Sequence, residues 1–160
     1  MSPDANKNVV RRLYEEVFEA GRLDLADELV DPDARDARDP QDRRGPARVK
    51  EVATMLRAAF PDQHWDIKSL VAEGDSVVMR STHSGTHRGP FMGIAPTGRA
   101  FRDVDHAYFF ELRDGKITSY HAIRDDLGML RQLGVIAHGR FSGNGRPAWI
   151  AADIVRIEGR

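Results

Sequence analysis

The chain has 160 residues, one domain's worth and enough to bury a core without disulfide or metal staples. Its 24 basic and 25 acidic side chains leave a formal net charge of -1, which argues against a nucleic-acid-binding arm or a membrane-seeking basic surface. A hydrophobic fraction of 41% is too high for a disordered chain, the absence of cysteine excludes disulfides, thiolate ligands and a cysteine nucleophile, and with no leader-like start or long apolar run a cytoplasmic protein is expected.

Ser2-Pro3 is a helix opening, a capping hydroxyl followed by proline at the first helical position. Val9, Val10, Leu13, Tyr14, Val17 and Phe18 then recur at helical spacing, and Gly21 ends the run. A short second helix is predicted over residues 24–29, capped by Asp24. Residues 31–44, dense in Asp, Arg and Pro with little to bury, read as an exposed loop. Gly45-Pro46 opens a third helix whose buried stripe is Val49, Val52, Ala53, Leu56, Ala59 and Phe60, and Pro61-Asp62 stops it.

Beyond Pro61 the period becomes strand-like. Trp65, Ile67 and Ser69 alternate with polar residues, Glu73-Gly74-Asp75 is a turn, and residues 76–83 form a second strand. Residues 85–98, rich in glycine and proline, read as a loop. Residues 100–112 form a long strand that returns through the Asp114-Gly115 turn into residues 116–123. Asp125 or Asp126 caps a last helix with Leu127, Leu130 and Leu133 inward and Gly134 as its stop. The domain is thus expected to span residues 1–134. Residues 135–156 form a tail that wraps the body, meets a partner or is partly disordered, and Ile157-Glu158-Gly159-Arg160 reads as a protease-cleavage sequence left from expression. Helices followed by antiparallel strands predict an α+β fold with helices on one face of a curved sheet, whose concave mouth suits a small ligand.

Four stretches carry a family resemblance: Gly85-Thr86-His87-Arg88-Gly89, Phe91-Met92-Gly93-Ile94-Ala95-Pro96-Thr97-Gly98-Arg99, Asp114-Gly115-Lys116-Ile117 and Leu127-Gly128-Met129-Leu130-Arg131-Gln132-Leu133-Gly134. In this order they resemble the SnoaL-like polyketide cyclases (ester cyclases) of the nuclear-transport-factor-2-like superfamily, over about residues 6–134. The resemblance implies a cone: a strongly curved sheet packed on three N-terminal helices, with a C-terminal helix. It also implies a homodimer and a cofactor-free intramolecular aldol ring closure on an aromatic polyketide-like molecule. There a buried carboxylate takes a proton beside a carbonyl, and a donor steadies the enolate oxygen.

Carried over from Asp114-Gly115-Lys116-Ile117, the family's aspartate base falls on Ala122 and its assisting histidine on Tyr108. Counted from Pro96-Thr97-Gly98, the histidine falls on Ala107 instead. Neither position can supply the standard dyad, so the chemistry has moved to other residues or changed.

Strand alternation shows where to look. If Tyr108 faces the cavity, so do His106 and Phe110; if Ala122 does, so do Tyr120 and Arg124; Val77, Met79, Ser81 and His83 share a face of the preceding strand. The candidate catalytic set is His106 as base, because imidazole titrates near neutrality, Tyr108 or Tyr120 as enolate-stabilising donor, and Asp125 as orienting or replacement carboxylate. His83, Ser81, Phe110, Met79, Trp65 and Arg124 are candidate substrate contacts.

Plainer roles stand beside these. Asp125 also fits as a helix cap, Tyr108 and Tyr120 as core residues, and His106 as a strand-edge residue if a bulge inverts the alternation. His121 is expected to face away, and His87 to fix its loop by a hydrogen bond. Only His83 and His87 show ligand-like spacing, without a nearby carboxylate, so no metal is expected, and the resemblance implies that no cofactor is used. Competing functions are a hydroxylase-like variant, an epoxide hydrolase using Arg80, Arg124 and Asp125, and a catalytically silent small-ligand-binding dimer.

Overall fold

A computed structural model describes residues 2–36, 39 and 41–136. The expected tail at 135–156 therefore lies almost wholly outside the described residues, as does the sequence at 157–160.

Helix α1 spans Pro3–Arg12, and its Ser2 hydroxyl accepts a hydrogen bond from the Ala5 amide at 3.2 Å. The helix does not end at Arg12. It widens into a π-helical stretch, Leu13–Glu19, closed by the Ala20 amide donating to the Glu15 carbonyl at 3.1 Å. Leu13, Tyr14, Val17 and Phe18 all remain buried, so the wider turn presents two aromatic rings to the interior.

The short second helix begins as a 3-10 turn, Leu23–Leu25, and continues as α2, Ala26–Leu29. The cap expected from Asp24 is not made: Arg22 precedes the turn and no side chain caps it. Leu25, Ala26 and Leu29 are buried at this corner, and Lys50 and Arg12 pair with Asp27 and Glu28, each at 2.7 Å.

The predicted exposed loop is overturned in its first half. Val30–Asp36 is strand β1, parallel to strand β5 (Lys116–Arg124), with Val30 opposite Ile117 and Asp36 opposite Tyr120. It lies at the sheet edge, where Pro32 lacks an amide proton without breaking an interior ladder. Only Val30 and Ala34 go inward, which is why its hydropathy resembled a loop.

Helix α3, Gly45–Ala59, starts on a left-handed Gly45 (φ 66°) at which a Cβ would sit 2.3 Å from the Pro32 carbonyl oxygen. Val49, Ala53, Ala59 and the following Phe60 are buried.

The other strands are β2 (His64–Glu73), β3 (Ser76–Thr86) and β4 (Ala100–Arg113). The five-stranded sheet runs β1-β5-β4-β3-β2, antiparallel except at β1–β5. Irregularities bend it. One lies between Ile67 and Ser69, so Leu70 and Ala72 pack inward and Ser69 is exposed, against the alternation predicted for it. A second sits between His83 and Gly85 opposite β4, where Asp103 takes a left-handed φ of 53°. Beyond it Val104, His106, Tyr108, Phe110 and Leu112 point inward in strict alternation.

Helix α4, Asp126–Gln132, is capped by Asp125, which accepts from the Gly128 amide at 2.8 Å. Its inward residues are Met129 and Leu133 rather than the predicted Leu127 and Leu130. Leu127 is exposed and Leu130 only half-buried, because the helix docks on Phe60, Phe91, Phe101 and Val104 through the Met129 side. The sequence-predicted α+β cone is therefore the observed fold. None of the described helices is long and apolar enough to cross a membrane.

Gly45→Ala tests the junction between β1 and α3. The new methyl group meets a backbone oxygen at a left-handed φ, so a loss of about 2 kcal/mol or more is expected in urea unfolding. An unchanged midpoint would show that Gly45 is not held in this conformation.

Candidate active site

The bent sheet and the two long helical segments enclose a cavity of about 350 Å³, a size that suits a small organic ligand. The π-helical stretch supplies Tyr14 and Phe18, α3 supplies Arg48, Val52, Met55 and Leu56, and the loop after β3 supplies Phe91 and Met92. From the sheet come Asp36, Trp65, Tyr108, Tyr120, Ala122 and Arg124. Most of this wall is apolar, with a few polar groups aimed into it.

The sequence candidates divide into those that reach the cavity and those packed behind it. Trp65, Tyr108, Tyr120 and Arg124 line it. His106 is buried one layer back, its Nδ1 2.7 Å from the Tyr108 hydroxyl. His83 is stacked on Trp65, with ring centroids 4.1 Å apart and planes 6° from parallel. Met79, Ser81 and Phe110 share the predicted inward face but are buried away from the cavity wall: the aromatic layer of Tyr14, Trp65 and Tyr108 covers this side of the sheet. A contact between any of these three and a ligand, as expected from alternation, is not what their packing provides.

Asp125 does not line the cavity either, being the cap of α4. Arg80 lies on the outer face, paired with Asp105 at 2.7 Å, and Asp125 caps α4, so the Arg80, Arg124 and Asp125 set considered for an epoxide hydrolase does not converge. His121 is on that outer face with Phe109. The buried His87 fixes its loop as expected, its Nδ1 accepting from the Thr97 amide at 3.3 Å and lying 3.2 Å from the Thr97 hydroxyl.

Burial sets the protonation of the inner groups. It lowers His106 to about 4, with the Arg124 cation as the next contribution, and lowers His83 to about 3, with His106 and Arg124 adding to the effect. The near-neutral titration expected of His106 is thereby overturned: at pH 7 it is a neutral imidazole. Burial also pushes the Tyr14, Tyr108 and Tyr120 phenols above their usual range, so each is a neutral donor at that pH. Two tautomers satisfy the His106–Tyr108 bond. With the proton on Nδ1, His106 donates to the phenol oxygen and leaves the phenol proton for a ligand.

Sequence reasoning missed Asp36. Its Oδ2 accepts from the Tyr120 hydroxyl at 2.9 Å, across the parallel β1–β5 pair. It also missed Arg48, whose Nε lies 2.8 Å from the buried Asp39 carboxylate while its Nη1 donates to Glu51 at 3.2 Å. The available signal was the placement of Val30 and Ala34 either side of Pro32, too sparse to mark a strand.

A curved mixed sheet wrapped on N-terminal helices, with the cavity in its mouth, defines a nuclear-transport-factor-2-like cone. The family model for the SnoaL-like polyketide cyclases matches residues 8–133, and the chain belongs to that family. Among solved structures it is similar to IdmH from Streptomyces antibioticus, at 33% identity and a TM-score of 0.69, over 81% of this chain and 98% of that one. It is also similar to TsrD from Streptomyces laurentii, at 30% identity and a TM-score of 0.73, over 81% and 97% of the two chains. A SnoaL-like polyketide cyclase from Agrobacterium tumefaciens shares the fold at 20% identity and a TM-score of 0.67, over 80% and 98%. No curated protein matches the chain.

The buried imidazoles make stability pH-dependent. Both titrate near 6.5 in the unfolded chain but at about 4 and about 3 when folded. Protons therefore bind the unfolded state first, and stability present above pH 6.5 is lost as the pH falls toward 4, by on the order of a few kcal/mol. His83→Phe, which keeps a flat ring against Trp65, should flatten urea midpoints measured across this window. An equally steep loss in the variant would contradict the burial argument.

Proposed function

We propose that the protein is a cofactor-free, SnoaL-like acid/base enzyme that closes a ring within an aromatic polyketide-like molecule by an aldol-type step. The observation that carries this reading is Tyr108 in the wall of an apolar cavity, its hydroxyl 2.7 Å from the Nδ1 of a neutral His106. Membership of the cyclase family supports the substrate class.

A ring-closing aldol step needs few groups. A proton leaves the carbon beside a carbonyl, the enolate carbon attacks a second carbonyl of the same molecule, and the new alkoxide is protonated. The enzyme lowers the barrier by folding the chain into an attacking conformation and by steadying the enolate oxygen. Aromatic rings from Tyr14, Phe18, Trp65 and Phe91 supply flat surfaces for the first task.

Tyr108 supplies the second. Its proton is available to a ligand oxygen when His106 donates from Nδ1 to the phenol oxygen. A neutral phenol in a dry site is a stronger aid to a developing oxyanion than the same phenol in water. His106 thus acts through Tyr108 as a positioning residue. Its lowered pKa keeps the pair neutral and avoids charge on a buried ring.

The test is turnover of aromatic polyketide methyl esters by the purified protein without added cofactor, followed by absorbance and mass spectrometry. Ring closure should appear as loss of water or as an isomer of unchanged mass. Tyr108→Phe, which retains the ring packing, should lose about 100-fold in kcat with little change in KM. Ligand binding without conversion across the panel would instead mark a small-molecule-binding module, and full activity in Tyr108→Phe would remove the donor from the mechanism.

A further inference from the structure

We infer that the cavity takes a ligand bearing a carboxylate, which Arg124 binds while the reacting carbonyl lies at Tyr108. This deepens the acid/base reading above and rests on it.

Two cations line the cavity, and their engagement differs. Arg48 is held by carboxylates around it: its Nε lies 2.8 Å from Asp39, and its Nη1 donates to Glu51 at 3.2 Å. Arg124 donates through Nη2 to Asp126 at 3.2 Å, its one side-chain partner among the described residues. The side chains of that pair are 33% and 28% exposed, and an ion pair so open to water is weak. A guanidinium carries five N–H donors, and Asp126 takes one of them.

The sheet aims this cation. β5 sends Tyr120, Ala122 and Arg124 to the cavity side in alternation. Its register against β4 sets Ala122 opposite Tyr108 and Arg124 opposite His106. Arg124 is thus rooted one pleat, roughly 6.5 Å, from the level of the Tyr108 donor. Its charge reaches inner groups on the helix and on the sheet. It adds to the lowering of His83 and His106 and opposes the burial that raises Tyr14 and Tyr108.

A flat ligand that fills this cavity displaces water from Arg124. If the ligand is apolar at that end, the charge and its remaining N–H groups lose their solvation without replacement. An ester or an amide returns hydrogen bonds but no charge. A carboxylate returns a charge and two oxygens that match the planar N–H fork. The rings of Phe18, Trp65 and Phe91 hold the aromatic body in between. The ligand class is therefore an aryl keto acid, with its ketone at Tyr108 and its carboxylate at Arg124.

Calorimetric titration with para-acetylbenzoate, para-acetylbenzamide and methyl para-acetylbenzoate reads this preference, since the three share one ring and one ketone. The unaltered protein should bind the acid at least ~10-fold more tightly than the amide or the ester. Arg124→Gln and Arg124→Met should bring the three affinities together. The acid-to-amide ratio is the readout, because a general disturbance of the site weakens both alike. In turnover, aromatic polyketide acids should show a lower KM than their methyl esters at similar kcat, a difference lost in Arg124→Gln. An acid preference abolished by Arg124→Gln, in a protein that closes no ring, would uphold the carboxylate site while overturning the ring-closure reading. Equal binding of the three probes by the unaltered protein, no binding of any, or an acid preference that survives in Arg124→Gln would overturn the assignment of Arg124, whether or not rings are closed.

Discussion

The molecule depends on how strand β4 meets its neighbours. The backbone shifts register against β3 at the left-handed Asp103, and from there every second side chain of the strand points into the cone. That shift puts His106 beneath Tyr108 and Tyr108 at the cavity wall. A further one-residue slip would send the polar residues Asp105 and Glu111 inward and turn the His106–Tyr108 pair to solvent. The cost of burying two charged groups in place of an aromatic ladder is far above what a small domain's stability tolerates. Packing therefore specifies the register, and the register places the functional groups.

The same burial that fixes these residues selects their chemistry. An imidazole close to solvent would exchange protons near pH 7, whereas His106 is held at about 4 by its apolar surroundings and by Arg124. It serves best as a neutral hydrogen-bonding partner of a phenol.

Much of this was legible in the sequence. The helical spacing from Val9 to Phe18, the Gly45-Pro46 helix start and the alternation from Val104 to Leu112 each match the elements formed. The inward face of Tyr108, Tyr120 and Arg124 was legible as well, because alternation survives wherever one face is buried. What was hidden has physical reasons. Strand β1 draws its stability from pairing with β5 rather than from its own apolar content, so its composition looked like a loop and Asp36 went unnoticed. Local pattern gives faces but not depth, so Met79, Ser81 and Phe110 could not be told from wall residues until the rings above them were placed. Asp125 suited capping better than catalysis, and the Gly128 amide decides for the cap.

Tyr108, supported by His106, is placed in the cavity wall as the proposed hydrogen-bond donor to a ligand carbonyl. Infrared difference spectroscopy of a bound aryl ketone, carbon-13 labelled at its carbonyl, measures that bond directly. A carbonyl stretch displaced to lower wavenumber than in an apolar solvent is expected, with the displacement removed in Tyr108→Phe and reduced in His106→Phe. A bound carbonyl that vibrates as it does in hexane, or one equally displaced in all three proteins, would contradict it.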